Sequence, residues 1–225
     1  MKLGVLFTGG KDSCYALMKA MEKHEVVCLI TIVSENEESF MFHTPNIEIT
    51  DLQSEAIGIP LVKRFTKGEK EKELRDLKEA ILEAKENYQV EGIVTGAVES
   101  VYQGTRVQKI CKQLDLWCFN PLWKKNQVQL INELLDNKFK MIFSGISAYP
   151  LDLAWLGKEL DKEKLDKLIE LHKGKYKISP TGEGGEFEST VLYAPFFKKE
   201  INVLDYEIID KVDSGVFHIM QGELK

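Results

Sequence analysis

The chain contains 225 residues, which suggests one large domain or two modest ones and is enough to bury a sizeable core. With 44% hydrophobic and 29% charged residues, its composition is that of an ordinary globular protein. The net charge of −6 and the pI near 5.4 give no electrostatic indication of nonspecific nucleic-acid binding, and we expect no direct nucleic-acid partner, although net charge does not exclude a local basic pocket.

Targeting and redox signals are also absent from the sequence pattern. The longest apolar stretch, residues 26–33, is too short to cross a bilayer, and the first residues do not resemble a secretory signal. The four cysteines form no Cys-x-x-Cys pair, so neither a zinc ribbon nor a dithiol motif is indicated. We therefore expect a cytoplasmic protein with reduced thiols and no membrane contact.

The first part of the chain has the pattern of a βαβ unit. Continuous apolar runs at residues 2–7 and 25–33 are typical of parallel strands buried on both faces. Between them, four apolar residues recur at the spacing of one helix face: Cys14, Leu17, Met18 and Met21. A third strand is predicted at residues 59–65.

Strands and helices continue to alternate after the third strand. A helix is expected to begin near Thr66, because Thr66 and Glu69 match a capping box. Strands are predicted at residues 90–97 and 116–119, with a helix at 106–115 between them. This alternation indicates an α/β fold with a doubly wound parallel sheet.

The pattern changes near residue 122. The elements predicted beyond it are a helix at 127–137, a strand at 140–149, a charged helix at 158–172 and a β-rich tail. We therefore expect two domains: residues 1–122 form the α/β domain, and residues 123–225 form a smaller α+β domain.

The loop TGGKDS follows the first predicted strand. Ligands of open parallel sheets bind at the carboxyl ends of the strands, which is where this loop falls. Gly9 and Gly10 permit a sharp turn and a close approach of the backbone to a ligand. The free N–H groups of a helix start attract phosphate oxygens, to which Lys11 would add a charge and Ser13 a hydroxyl.

A capped turn is the simpler interpretation of the same loop. Asp12 or Ser13 would make a good N-cap, but that interpretation gives no role to Lys11. The loop matches neither the Walker P-loop nor the G-x-G-x-x-G motif. It resembles instead the S/T-G-G-x-D-S motif of the PP-loop ATP pyrophosphatases, which cleave ATP between its α and β phosphates. That resemblance implies that the loop holds the leaving pyrophosphate and that Asp12 positions Mg²⁺.

Residues 39–46, SFMFHTPN, follow the second predicted strand and so fall at the same edge of the sheet. Phe40 and Phe42 either cover the sheet edge or contact a ligand, and both interpretations stay open. His43 is a candidate substrate-binding residue, although a structural histidine is the more common case.

Residues 95–111 start at the end of the fourth predicted strand, again at this edge. Gly96 permits close backbone approach there. The polar candidates that follow it are Glu99, Ser100, Tyr102, Gln103 and Arg106. Ser100 also suits a helix N-cap, and the Arg106 guanidinium is able to bind a phosphate or carboxylate through two parallel hydrogen bonds.

Residues 179–189, SPTGEGGEFES, read as a long glycine-rich loop that is costly to order unless it holds a ligand. An acidic hairpin turn is the structural alternative. The functional interpretation is that its carboxylates bind a cation, either Mg²⁺ or ammonium, or place an amine. The carboxylates in question are Glu183, Glu186 and Glu188.

Taken together, these stretches resemble the diphthine–ammonia ligase family of PP-loop enzymes. The matching segments, in order, are TGGKDS, SFMFHTPN, GAVESVYQGTRV, PLW at 121–123 and GEGGEFES. The resemblance covers nearly the whole chain up to about residue 195. Thr8, Phe40 and Ser189 depart from the more frequent serine, tyrosine and threonine, and only Phe40 removes a hydroxyl.

The resemblance implies an ATP-dependent amidation with ATP and Mg²⁺ as cofactors. The carboxylate of diphthine, a modified histidine on elongation factor 2, would form an acyl-adenylate, from which ammonia displaces AMP. The implied ATP-binding residues are Thr8, Gly9, Gly10, Lys11, Asp12, Ser13 and Gly96. Catalytic roles are implied for Lys11, Asp12, Ser13, Glu183 and Glu186. The implied substrate-binding residues are His43, Glu99, Ser100, Tyr102, Gln103, Arg106, Gly184, Gly185 and Glu188.

Two other functions remain as alternatives. One is another PP-loop chemistry, such as modification of a tRNA base, although thiolation usually needs cysteines that are not paired here. The other is a nucleotide-binding module without catalysis, which would need neither the Lys11–Asp12 pair nor the GEGGEFES segment. The sequence does not determine the oligomeric state, and a homodimer is one option.

Overall fold

Five strands in the first half of the chain form one parallel sheet. The computed structural model describes residues 1–36, 45–69 and 71–225. The strands are β1 (Lys2–Leu6), β2 (Glu25–Ser34), β3 (Leu61–Thr66), β4 (Gly92–Val94) and β5 (Trp117–Phe119). Their order across the sheet is β3-β2-β1-β4-β5, and every neighbouring pair is parallel.

Helices cover both faces of this sheet. They are α1 (Lys11–Met21), α2 (Thr50–Ile57), α3 (Glu73–Tyr88) and α4 (Val101–Gln113). Buried residues of α1 and α2 share one apolar cluster with β1, whereas those of α3 and α4 share a second cluster with β2. The prediction of a doubly wound parallel sheet is confirmed.

The start of α3 was predicted wrongly. The helix begins at Glu73, seven residues beyond the expected cap at Thr66. Thr66 ends β3, where its hydroxyl donates a 2.5 Å hydrogen bond to Asp76 and accepts one of 3.2 Å from the Gly68 N–H. The threonine therefore serves the turn that precedes the helix instead of forming a capping box.

The second half of the chain is built around an antiparallel sheet. Its elements are α5 (Gln127–Asp136), β6 (Lys140–Ile146), α6 (Lys162–Lys173), β7 (Phe187–Tyr193), β8 (Ile201–Lys211) and β9 (Ser214–Leu224). The strand order is β7-β6-β9-β8, and β6, β7 and the β8–β9 hairpin all pair in antiparallel fashion. The smaller α+β unit predicted for this half is confirmed.

The two halves share backbone hydrogen bonds and a core. The Val191 N–H in β7 donates to the carbonyl of Gly9, over 2.9 Å. One apolar cluster contains residues from both halves, including Leu17 of α1 and Phe143 of β6. The division at residue 122 itself stays a prediction, although the parallel sheet ends at Phe119 and the antiparallel sheet starts at Lys140.

Within the described residues, no helix combines the length and the apolar character needed to cross a membrane.

Asn46 fastens the start of α2 to the antiparallel sheet. It is buried at a φ of +61°, a left-handed conformation that asparagine tolerates better than most residues. Its side-chain amide donates to the Phe217 carbonyl over 2.9 Å and to Thr190 over 3.3 Å, and its oxygen accepts the Ile219 N–H over 2.7 Å.

We therefore expect Asn46→Ala to lower the free energy of unfolding by about 2–3 kcal/mol, because it leaves the Phe217 carbonyl and the Ile219 N–H without their hydrogen-bond partner. Urea unfolding would measure the change. Asn202→Ala, which loses only an exposed contact to Glu223, is the control and should change the stability by less than about 0.5 kcal/mol. Equal effects from both variants would contradict this account of Asn46.

Candidate active site

The loop between β1 and α1 turns at Gly9, which has a φ of +77°. The helix begins at Lys11 with Gly10 as its N-cap, so neither Asp12 nor Ser13 caps it, and the capped-turn interpretation is wrong in that detail. The Ser13 hydroxyl instead turns back to the loop, donating to the Gly10 carbonyl over 3.1 Å and accepting the Thr8 N–H over 3.3 Å.

A strand from the other half of the chain supports this loop. The Lys11 N–H donates to the hydroxyl of Ser189 in β7, over 3.2 Å. The side-chain amide of Gln53 in α2 donates both to the Gly9 carbonyl over 3.0 Å and to the Val191 carbonyl over 2.7 Å. The loop is therefore fixed on two sides by groups outside the first βαβ unit.

Gln53 was missed by the sequence analysis, although a signal was present. The residue shares one face of α2 with Ala56 and Ile57, and all three are buried. An amide in this largely apolar helix stripe needs hydrogen-bond partners, and the carbonyls of Gly9 and Val191 provide them for its NH2 group, whereas its buried Oε1 has none among the described residues.

Lys11 and Asp12 form an ion pair at the floor of a pocket. Lys11 is only 4% exposed, and its Nζ lies 2.8 Å from Asp12 Oδ2 and 5.4 Å from the centre of the Phe187 ring. Burial by itself would lower the pKa of Lys11, but the negative charges of Asp12, Glu183 and Glu188 outweigh it and raise that pKa. The lysine therefore stays charged.

Gly96 lies against the loop from the end of β4. A Cβ atom at this position would stand 2.8 Å from the Ser13 nitrogen and 2.9 Å from the Asp12 carbonyl carbon. Both neighbours are backbone atoms, so a side chain here would have to displace the loop itself. The close approach expected for Gly96 is present, and its neighbour is the helix start.

The residues predicted at the start of α4 separate into two groups. Ser100 caps the helix by accepting the Gln103 N–H over 3.3 Å, as expected, and both residues line the pocket. Tyr102 and Arg106 lie outside its lining. The Arg106 guanidinium carbon stacks 3.4 Å from the centre of the Tyr102 ring, and its nitrogens pair with Glu71.

Glu99, Gly9 and Gly10 also lie outside the pocket lining, although the Glu99 N–H donates to Glu183 over 3.3 Å. His43 falls outside the described residues, as do Phe40 and Phe42.

The glycine-rich segment after α6 contributes carboxylates in two different ways. Thr181, Gly182, Glu183, Gly184 and Gly185 line the pocket as a loop. Glu188 also lines it but belongs to strand β7, so the loop is shorter than predicted.

The third carboxylate, Glu186, has a structural position. Its Oε1 accepts the Ser179 N–H and its Oε2 accepts the Gly184 N–H, each over 2.8 Å. It is outside the pocket lining. Both oxygens are thus occupied in holding the loop, so the geometry does not favour the catalytic role predicted for Glu186.

Two carboxylates face the Lys11–Asp12 pair and titrate near neutrality. The pKa of Glu188 rises to about 7, mainly through desolvation by the protein that surrounds it in the pocket. Its surface is still reached by water, and the positive charge of Lys11 opposes the shift. The pKa of Glu183 also rises to about 7, first through burial and then through repulsion from Asp12. Either residue is able to accept or donate a proton near pH 7.

The pocket enclosed by these elements has a volume of about 430 Å³ and lies at the carboxyl edge of the parallel sheet. Its lining comes from the β1–α1 loop, the end of β4, the start of α4 and the Gly-Glu segment. A pocket of this size and position suits a small-molecule ligand.

The oxygen atoms of the pocket fit a magnesium ion only if a bound ligand supplies further oxygens. Asp12 Oδ1 is buried in the pocket without a hydrogen-bond partner, which leaves one anionic oxygen free for a cation. Among the described residues, no group of three or more His, Cys, Asp or Glu side chains could hold a metal by itself. Mg²⁺ commonly takes one or two carboxylates and completes its octahedron with phosphate and water oxygens.

The doubly wound sheet, with a glycine-rich loop and a helix start at its carboxyl edge, makes the chain a Rossmann-like α/β protein with an added antiparallel domain. Family models for the diphthamide synthase N-terminal and C-terminal domains match residues 1–117 and 126–224. The chain belongs to the diphthamide synthase family.

Curated relatives agree with these models. The chain is 36% identical to diphthine–ammonia ligase of Homo sapiens and of Bos taurus, with 93% of the chain and 85% of each relative covered. It is 32% identical to the Saccharomyces cerevisiae protein of that name, covering 100% of the chain and 37% of that relative. That name denotes a ligase that forms a C–N bond.

A solved structure has a weaker similarity. It is described as a predicted subunit of tRNA methyltransferase from Methanocaldococcus jannaschii, and it matches with a TM-score of 0.45 and 17% identity over 87% of this chain and 98% of that one. A similarity of this level does not indicate function.

Gly96→Ala is expected to weaken ATP binding by about tenfold or more, because the new methyl group overlaps the loop backbone. Calorimetric titration with ATP would measure the affinity. Gly104→Ala in α4 is the matched control, since its Cβ would meet only the Trp123 ring at 3.5 Å. Unchanged affinity in Gly96→Ala would contradict a role of this loop in ATP binding.

Because the pKa of Glu188 is raised in the folded protein, the free energy of unfolding should depend on pH. The folded protein keeps this proton up to about pH 7, whereas the unfolded chain releases it near the ordinary value of 4.5. Stability from this group is therefore lost as the pH rises through that window. We expect Glu188→Gln to be more stable than the wild type at about pH 8 and equal to it near about pH 4. A urea-unfolding series measures this, and a difference that does not vary with pH would contradict it.

Proposed function

We propose that this protein catalyses the ATP-dependent amidation of diphthine, the modified histidine of elongation factor 2, with ammonium. The observation that carries the proposal is the matching of both halves of the chain to the diphthamide synthase family. The site supports it, because a buried lysine paired with an aspartate at a helix start faces two carboxylates of the second half.

The β1–α1 loop is assigned to the phosphates of ATP. The residues that would hold ATP are Thr8, Gly9, Gly10, Lys11, Asp12, Ser13 and Gly96. When the diphthine carboxylate oxygen attacks the α-phosphorus, the bond to pyrophosphate breaks and negative charge accumulates on pyrophosphate. Lys11 and the N–H groups of the helix start would stabilise that charge as it develops.

The same step requires a positive ion near the pyrophosphate, and Asp12 would bind that ion. Its free Oδ1 is the oxygen we assign to Mg²⁺, which neutralises the leaving pyrophosphate when bound. Asp12 would therefore have two roles: one oxygen orients Lys11 and the other would bind the metal.

The second step consumes the acyl-adenylate. Ammonium must lose one proton before its nitrogen attacks the acyl carbon and AMP departs. Glu183, whose pKa is about 7, is matched to this proton transfer at neutral pH. Glu188 is the other group of matched pKa and would hold the ammonium ion or the substrate. Glu183 replaces Glu186 as the preferred choice, because the two oxygens of Glu186 are already occupied.

The proposed substrate-binding residues lie both in the lining of the pocket and beyond it. Ser100, Gln103, Gly184 and Gly185 line the pocket and would face the diphthine side chain. Glu99, Tyr102 and Arg106 lie beyond the lining and would contact a larger substrate, and the role of His43 stays a prediction. The cytoplasmic location, the lack of direct nucleic-acid binding, the homodimer option and the domain division at residue 122 stay predictions as well.

The two alternatives make different products. A tRNA-modifying PP-loop enzyme would release pyrophosphate only with RNA present. A binding module would take up ATP without cleaving it.

We therefore expect AMP, pyrophosphate and the amidated residue when the protein is incubated with ATP, Mg²⁺, ammonium and diphthine-bearing elongation factor 2. Binding of ATP without any product would sink the proposal.

Glu183→Gln in this assay is expected to raise the KM for ammonium by about tenfold or more, because the neutral amide neither attracts the ammonium ion nor accepts its proton. Glu186→Gln is the matched control on the same loop. It keeps one acceptor oxygen, so it should mainly lower the stability of the loop and leave the KM for ammonium within about threefold. If Glu183→Gln retained the wild-type ammonium dependence, Glu183 would not be the ammonium residue.

A further inference from the structure

A surface patch beside the pocket combines exposed aromatic and basic side chains. Tyr149 is 78% exposed and Tyr176 is 41% exposed, yet their rings contact each other, with centroids 5.3 Å apart and planes at 75°. Three exposed lysines lie within three residues of Tyr176 in the chain: Lys173, Lys175 and Lys177. We name these five residues the basic-aromatic rim.

The rim is attached directly to the wall of the pocket. Ser147, two residues before Tyr149, donates a hydrogen bond from its hydroxyl to the carbonyl of Gly185, which lines the pocket. Ser179 follows the other tyrosine by three residues, and its hydroxyl accepts the N–H of Glu183 over 3.0 Å. Both sides of the rim are thus joined to the loop that carries the proposed ammonium residue.

The charge of the rim contrasts with the rest of the chain. The net charge of the chain is −6, but residues 172–177 read HKGKYK and contain no acid. None of the ion pairs found in the described part of the chain involves a rim lysine. Lys175 instead lies 5.9 Å from the centre of the Tyr176 ring.

Such a combination is characteristic of a binding surface. Tyrosine is enriched at interfaces because a large, rigid ring buries much area at little entropic cost. Lysines that form no ion pair, beside exposed aromatic rings, present both charge and apolar area to a partner.

We propose that the basic-aromatic rim docks the acidic surface of the protein that delivers its carboxylate to the pocket. This inference rests on the proposed function, in which the substrate is a side chain of a folded protein. The pocket is too small to enclose such a protein, so its surface must lie against the mouth of the pocket when the side chain enters. The positive charge of the rim selects for acidic groups around the modified residue.

The test compares two double charge reversals. Lys175→Glu with Lys177→Glu changes the rim, and Lys109→Glu with Lys112→Glu makes the same change on the exposed side of α4, toward the helix end remote from the pocket. We expect the rim variant to raise the KM for diphthine-bearing elongation factor 2 by about tenfold at low salt, and by much less at about 0.5 M salt. The α4 variant should match the wild type.

Two further measurements keep the inference falsifiable. Tyr149→Ala with Tyr176→Ala should raise the same KM at both salt concentrations, because apolar contact is not screened. Affinity for ATP should stay at the wild-type value in every variant. Unchanged KM in both rim variants, or equal changes in the α4 variant, would overturn the docking surface.

Failure of the proposed function can be told apart from failure of the rim. If the wild type makes no amide, direct binding of diphthine-bearing elongation factor 2 can still be followed by fluorescence anisotropy, with the same two reversals. Binding weakened only by the rim variant would support the docking surface alone. If the rim variant bound the elongation factor as well as the wild type does, the docking surface would be rejected. The same holds if the rim variant lost affinity for RNA but not for the elongation factor.

Discussion

The pocket depends on one backbone contact, the hydrogen bond from Val191 to the carbonyl of Gly9. This carbonyl also accepts from the Gln53 side chain, and the Gln53 oxygen would stand only 2.2 Å from a Cβ at position 9. Glycine suits this position because its φ of +77° is unfavourable for other residues, and this conformation turns the loop into the start of α1. The β1–α1 loop side of the site is therefore shaped by a strand of the second half.

The same contact brings the acidic side of the site into place. Strand β7 carries Ser189 against the start of α1 and carries Glu188 into the pocket, since the two are neighbours on one strand. The loop before this strand supplies Glu183. An error in the seating of β7 would displace the loop and both carboxylates together, so the two halves work as one unit.

Electrostatics explains why the site is suited to cations and anions together. Within the part of the pocket that the structure describes, one buried lysine faces three carboxylates: Asp12, Glu183 and Glu188. Desolvation within the pocket and, less strongly, repulsion from Asp12 raise the pKa of the two glutamates to about 7. A polyphosphate entering alone would add to the repulsion, whereas a polyphosphate with a divalent cation would relieve it. Ammonium would relieve it further.

Much of the fold was predictable from the sequence because buried parallel strands leave continuous apolar runs. The start of α3 was not, because the helix signal at Thr66 was local and the hydrogen bond from its hydroxyl goes to Asp76, well beyond the turn. In the site, residue types pointed to the loop, to Ser100 and to the acidic segment. They could not distinguish Glu186 from Glu183, because the partners of Glu186 are backbone groups placed only by the folded loop.

The arrangement also accounts for how two chemical steps would share one pocket. The adenylation step needs positive charge around the phosphates, which the first half offers through Lys11 and the helix start. The amidation step needs a base near neutrality, which the second half offers through its glutamates. Because β7 joins these two sides through its hydrogen bond to the loop, the proposed mechanism would let the acyl group remain in place between the steps, while only pyrophosphate and ammonia would have to move.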